Sequence, residues 1–209
     1  MKLQHWETQF EQFIYAELGG DAAHGLSHIR RVVSNARRLS MTENAKLAIV
    51  IPAAWLHDCV SVPKNSPLRN QASRLAAQRA GVYLREHQYD EALIPAIEHA
   101  IAAHSFSAEI PCQTLEAQVV QDADRLDAIG AIGIARTILT GASMGADFYD
   151  SAEPFAITRP LDDKRYTIDH FYVKLLKLEA MMQTAAGKAE ARARTLFMQQ
   201  FLDQLQSEL

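Results

Sequence analysis

The segment that most constrains this chain is LAIVIPAAWL, Leu47 to Leu56, apolar on every side and followed at once by His57 and Asp58. It is too short to cross a bilayer, which takes about 20 apolar residues, so protein has to enclose it. A helix that is apolar all round is a central helix. It is expected to run from Leu47 to Asp58 and to kink or break at Pro52, because proline removes a backbone donor and crowds the preceding turn. An Asp beside a His at the end of such a helix is costly unless something offsets its charge. Metal coordination is one of the few strong ways to do so.

Further helices are predicted around this one. Trp6, Phe10, Phe13, Ile14 and Leu18 form one apolar stripe, closed by Gly19-Gly20. Ile29, Val32, Val33, Ala36 and Leu39 form a second, with Ser27 as the expected N-cap. A helix follows from about Gln71 to His87, and Pro95 opens the next. Leu115 to Leu139 reads as one helix containing Gly130 and Gly133, which calls for a compensating close contact. Two last helices, Ile168 to Ala186 and Lys188 to Leu205, are expected to meet at Gly187. No alternating β-branched run appears, so the expected fold is all-α, a multi-helix bundle. Thr140 to Tyr166, 27 residues, lacks helical period. Loops longer than about 12–15 residues are usually functional or disordered, and this one is read as a pocket wall or a surface excursion. The length of 209 residues suits a single domain. Its motif-bearing core would span 21–139, with C-terminal helices over 168–208 packing on it.

Charge narrows the function. There are 21 Lys and Arg against 25 Asp and Glu, a net charge of −4, the wrong sign for coating a nucleic acid polymer. A local site for one small anion is still allowed. Glu7 and Glu11 interrupt the first apolar stretch, so a secretory signal and a membrane partner are not expected, and the expected compartment is the cytoplasm. Cys59 and Cys112 have no metal-binding spacing. A homodimer stays open.

Eight histidines are the more informative count. His5 and His87 stand in charged, amphipathic surroundings and read as surface. His24 and His28 would share a face if their helix extends back that far. Downstream, QDADRLDAIG sets Asp122, Asp124 and Asp127 among Val119, Val120, Leu126 and Ile129. Carboxylates crowded in this way raise one another's pKa unless a cation lies between them. His28, His57, Asp58 and Asp124 thus form a set drawn from three helices, and facing helices can project such residues inward.

The blocks DAAHGLSHIRRV, AAWLHDCV and VVQDADRLDAIGAIGIAR, in that order, resemble the HD-domain phosphohydrolase superfamily. With KNSPLR and HFYVKLLKL the chain is similar to a small single-domain bacterial subgroup labelled YedJ-like, over roughly Asp21 to Leu205. The resemblance implies that His28, His57, Asp58 and Asp124 bind one divalent cation. A mixed imidazole and carboxylate set suits Mn or Mg, with Fe, Co or Ni also possible, more than a closed zinc site. Such an ion would activate a water and polarise a phosphoryl group, with Asp58 both ligand and orienter. The substrate would be a nucleotide or similar small phosphorylated molecule, cut at an ester or diphosphate bond.

Candidate substrate contacts are His24, Lys64, Arg69, Asp127 and Lys174, although Asp127 could equally pair with Arg125 or Arg136. Tyr149, Phe155 and Tyr166 are candidate stacking residues. His99 and His104 are five apart, about 140° off one helical face, so they do not share a metal, and one ion is expected. His104 is the candidate for a substrate contact or general acid. The alternative is a regulatory module that binds a nucleotide without hydrolysing it. A guanosine tetraphosphate-type hydrolase would need an acidic pair that cannot be placed here, and a di-iron oxygenase would need a different histidine spacing.

Overall fold

The computed structural model describes residues 3–18, 22–62, 66, 68–105 and 108–209; the side chains of Leu18, Ala22, Ala23, His24 and Arg69 also lie outside the described set. The described residues form helices with no strand, and the chain divides into two compact units, 1–124 and 125–209. The all-α expectation holds.

The first unit contains α1 (Leu3–Leu18), α2 (Ala22–Glu43), α3 (Leu47–Leu56), α4 (Ala72–Glu86), α5 (Ile94–His104) and most of α6 (Leu115–Leu126). α3 is its centre: Ile49 to Leu56 are all buried, and α1, α2 and α5 pack around it. Pro52 neither breaks nor ends this helix. The carbonyl it deprives of a donor is that of Ala48, four residues back, and the Tyr89 hydroxyl donates to that oxygen at 2.6 Å. The helix ends at Leu56, two residues earlier than expected, with His57 as its C-cap. Asp58 therefore lies beyond the helix, with its side chain 55% exposed, so the carboxylate is not forced into the apolar core.

α2 reaches back past Ser27, which lies inside the helix and is not its N-cap. His24 and His28 accordingly share one helix. α1 is fixed at both ends of its polar face. Glu7 accepts from Arg37 at 2.6 Å and from the Trp55 indole at 3.3 Å, and Glu17 accepts from Arg79 at 2.6 Å. Its apolar face sets Trp6 edge-on to Tyr89 and Phe10 edge-on to Tyr83, and stacks Phe13 on Tyr83.

The second unit contains α7 (Gly130–Ser143), α8 (Asp169–Val173), two 3-10 turns (Leu175–Lys177 and Glu179–Met181) and α9 (Ala185–Glu208). Two helices replace the single one expected over Leu115–Leu139. Gly130 takes φ +76°, a left-handed value that turns the chain, and a Cβ on Gly133 would lie 2.3 Å from the Ala128 carbonyl oxygen. The glycines serve this turn and not a helix interior. The helix expected over Ile168–Ala186 is also replaced, by α8 and the two 3-10 turns. α9 begins earlier than expected: Thr184 caps it by accepting from the Gly187 amide at 2.9 Å, so Gly187 lies in its first turn.

The aperiodic stretch leading to α8 is held from within its unit. Arg159 grips buried Asp169 with two bonds of 2.6 and 2.7 Å, and Asp147 pairs with Tyr166 in a single β-bridge. The Tyr166 ring is buried and covered by the guanidinium groups of Arg159 and Arg165, at 4.6 and 5.0 Å from its centre. Those cations occupy the surface on which a base was expected to stack.

Candidate metal centre

Three elements of the first unit bring the predicted set together. α2 supplies His28, the end of α3 supplies His57 and Asp58, and the last turn of α6 supplies Asp124. The buried Asn35 side chain ties α2 to α6 by donating to the Ala123 carbonyl at 3.3 Å, one residue before Asp124. The two Nε2 atoms of His28 and His57 face each other at 3.4 Å. Asp58 Oδ2 lies 3.5 Å from His57 Nε2 and 3.8 Å from His28 Nε2; Asp124 Oδ1 lies 3.4 Å from His28 and 3.8 Å from His57.

These separations fit one shared ion. Donors held about 2.0–2.2 Å from a common cation stand at most about 4.4 Å apart, and each of the five distances is shorter. Donor chemistry agrees. His57 Nδ1 is 2.9 Å from the Ala54 carbonyl oxygen, which can only accept, so Nδ1 carries the hydrogen and neutral His57 turns a lone pair at Nε2 inward. The donor atoms of His28, His57 and Asp58 all lie within 4.8 Å of one another, a group that could hold a metal ion, and Asp124 Oδ1 stands beside both histidines.

The site is buried on one side and open on the other. His57 is fully buried and His28 is 15% exposed, whereas Asp58 is half exposed. Burial lowers the pKa of His57, with Asp58 and Asp124 partly opposing, and so keeps its ring neutral. Burial acts the other way on Asp124, but the side-chain hydrogen bond with His28, together with the neighbouring imidazoles, outweighs it and holds the carboxyl at about 2. Asp58 is likewise held below the usual carboxylate range: burial opposes this and the imidazoles of His57 and His104 prevail.

His104, at the C-terminal end of α5, belongs to the same cluster. Its Nδ1 donates to the Ile101 carbonyl at 2.6 Å, and its Nε2 faces the other oxygen of Asp58 at 3.6 Å. Burial alone would lower its pKa, but Asp58 raises it. Asp58 therefore directs one oxygen at the two histidines of the set and the other at His104. His99 turns elsewhere, accepting from the Gln113 amide at 3.1 Å.

The remaining candidates have different surroundings. Lys64 and the side chains of His24 and Arg69 lie outside the described residues. Asp127, in the second unit, is buried, and its carboxylate accepts from Arg136. Lys174 is exposed at the end of α8 in that unit. The sequence reading missed the carbonyls of Ala54 and Ile101, each three residues before the histidine it orients. Backbone acceptors leave no mark in residue identity, although a histidine at the end of a helix is a general cue for such a contact.

Comparison with known proteins places this geometry in context. The sequence profile of the family described as HD domain matches residues 25–129. YpgQ of Bacillus subtilis is 32% identical over 193 residues, covering 90% of this chain and 85% of that protein. A crystal structure of an HD-superfamily hydrolase from Bacillus thuringiensis is similar with a TM-score of 0.76 and 34% identity, over 98% of this chain and 97% of that one. The crystal structure of Bacillus subtilis YpgQ in complex with ADP is similar with a TM-score of 0.77 and 30% identity, over 100% of this chain and 97% of that one.

Proposed function

The chain belongs to the HD domain family, and from that premise we propose that it is a metal-dependent phosphohydrolase acting on a nucleotide or a similar small phosphorylated molecule. The observation that carries this reading is the cluster of His28, His57 and Asp58, with Asp124 Oδ1 at 3.4 and 3.8 Å from the two histidines. The ADP found with the YpgQ relative supports a nucleotide. The family match covers residues 25–129, and that the whole chain forms one HD-type domain is part of this proposal.

The four residues would hold one divalent ion. Mixed nitrogen and oxygen donors favour Mn or Mg. When bound, that ion supplies Lewis acidity, activating a water and polarising the phosphoryl group. The chain's own residues do the rest. His57, fixed by Ala54, offers its inward lone pair without needing to rotate. Asp58, the exposed member, orients the incoming water. His104 is oriented by Ile101 and faces Asp58, so it is the group able to hold a proton and pass it to the leaving oxygen. His24, Lys64 and Arg69 are the candidate phosphate contacts.

The test is phosphate release from a panel of nucleoside mono-, di- and triphosphates with Mn added. Turnover by the wild type should fall at least about 100-fold in His57→Ala and in Asp58→Ala, beyond the loss typical of residues that merely support a ligand. A wild type that binds a nucleotide tightly yet turns over none of them with any divalent ion would establish the non-hydrolytic alternative.

A further inference from the structure

α5 ends on His104, so the ring that faces Asp58 stands on the last turn of its helix. The final carbonyls of an α-helix have no amide ahead of them to accept from, and helix ends fray. Here the turn is met from outside. The Ser73 hydroxyl of α4 donates to the Ala102 carbonyl at 2.9 Å, and the Gln121 side-chain amide of α6 donates to the Ala103 carbonyl at 2.8 Å. The Ile101 carbonyl takes the His104 ring itself, at 2.6 Å. Three successive carbonyls leading to His104 are thus each given a side-chain donor, and two of those donors come from other helices. The Cys112 thiol reaches the Ala103 oxygen only at 3.7 Å, so Gln121 is its principal side-chain donor.

Gln121 is the unexpected member of this cap. It is 5% exposed and is flanked along α6 by Ala117, Val119, Val120 and Ala123, all fully buried. A buried amide is costly unless it is hydrogen-bonded, and an apolar side chain would pack α6 without that cost. Its position gives the amide a use that packing does not. Gln121 lies three residues before Asp124, on the same side of the helix, and it grips the residue immediately before His104. It therefore sets the end of α5 against the helix that carries Asp124. Asn35 makes the matching link from α2, donating to the carbonyl immediately before Asp124.

We propose, resting on the hydrolytic reading above, that Gln121 is a positioning residue for His104. With Ser73 beside it, Gln121 caps the end of α5 and so holds the imidazole Nε2 at 3.6 Å from Asp58 Oδ1. It acts through the place it gives that ring, and not by contact with the reacting atoms. Proton transfer to a leaving oxygen depends steeply on that place, since a misplacement of about 1 Å can cost about 100-fold in rate.

Gln121→Met keeps the length of the side chain and removes its donor. With a nucleotide that the wild type hydrolyses, this variant should lose about tenfold in kcat, with KM and Mn content per chain unchanged. In a His104→Gln background the same substitution should cost less than about twofold, because residues that act through one another are not additive. An equal loss in both backgrounds, or none in either, would overturn the proposal. A second arm needs no turnover, so it decides the matter even if the chain hydrolyses nothing: NMR of isotope-labelled histidine rings in chelator. The His104 Nδ1 proton should exchange with solvent at least about tenfold faster in Gln121→Met, as the helix end opens more often. That of His57, held by Ala54 at the end of α3, should be unchanged. Ser73→Ala should move the His104 signal in the same direction, which keeps the test standing should Gln121→Met fail to fold. Exchange of the His104 proton at the wild-type rate in these variants is the result that sinks the proposal.

Discussion

His57 shows at a single residue how the centre is made: one ring nitrogen is committed to the Ala54 carbonyl, and the other is left facing His28, Asp58 and Asp124. The protonation states of its neighbours give the metal-free protein a definite response to acid. Asp124 titrates at about 2 in the folded chain against an ordinary 3.8. A depressed carboxyl contributes stability in full above the ordinary value and loses it as pH falls toward the folded one. His57 acts in the same sense below 6.5, whereas the raised pKa of His104 contributes below 6.5 and is lost as pH rises through its folded value. In chelator, the stability advantage of the wild type over Asp124→Asn in urea unfolding should therefore shrink between about pH 3.8 and about pH 2. An advantage that grows over that interval would contradict the assignment. Cys59 gives a second prediction at this scale. Burial pushes its thiol up to about 12, so it should resist alkylation at pH 8 in the native protein and react once the chain is unfolded, as read by mass spectrometry.

Among the elements, α3 depends on a partner outside itself. Tyr89→Phe removes the donor that serves the Ala48 carbonyl, and it should lower unfolding free energy by about 1 kcal/mol, measured from urea midpoints; no change would mean that water serves that oxygen equally well. The sequence made the existence of this helix plain, because an apolar run with no polar face can only be central. It could not indicate that Pro52 would be tolerated, since the compensating hydroxyl lies 41 residues along the chain from the Ala48 carbonyl it serves. The same limit explains the other differences. Gly130 and Gly133 fit an apolar helical period, and only the approach of Gly133 to the Ala128 carbonyl oxygen reveals a turn. VKLLKL looks helical, yet the chain there forms short 3-10 turns. Residue types were most informative where chemistry restricts them: the motifs singled out His28, His57, Asp58 and Asp124, and the fold sets both carboxylates 3.4–3.8 Å from the two imidazoles. Asp127 was ambiguous because an Asp beside arginines can either pair or bind, and Arg136 engages it.

At the scale of the whole molecule, the chain is a set of helices in two compact units, with the four convergent donors all in the first. No described helix is long and apolar enough to cross a membrane. The net charge of −4 includes two carboxylates that stand against imidazoles around a position suited to a cation. The central claim is that one divalent ion binds at His28, His57, Asp58 and Asp124. It is tested most directly by metal content per chain after reconstitution with Mn and removal of free ion. The account predicts about one ion per wild-type chain and far less in His57→Ala, because truncating a ligand removes more affinity than disturbing its support. A wild-type content well below one, with no gain on reconstitution, or an equal content in His57→Ala, would contradict it.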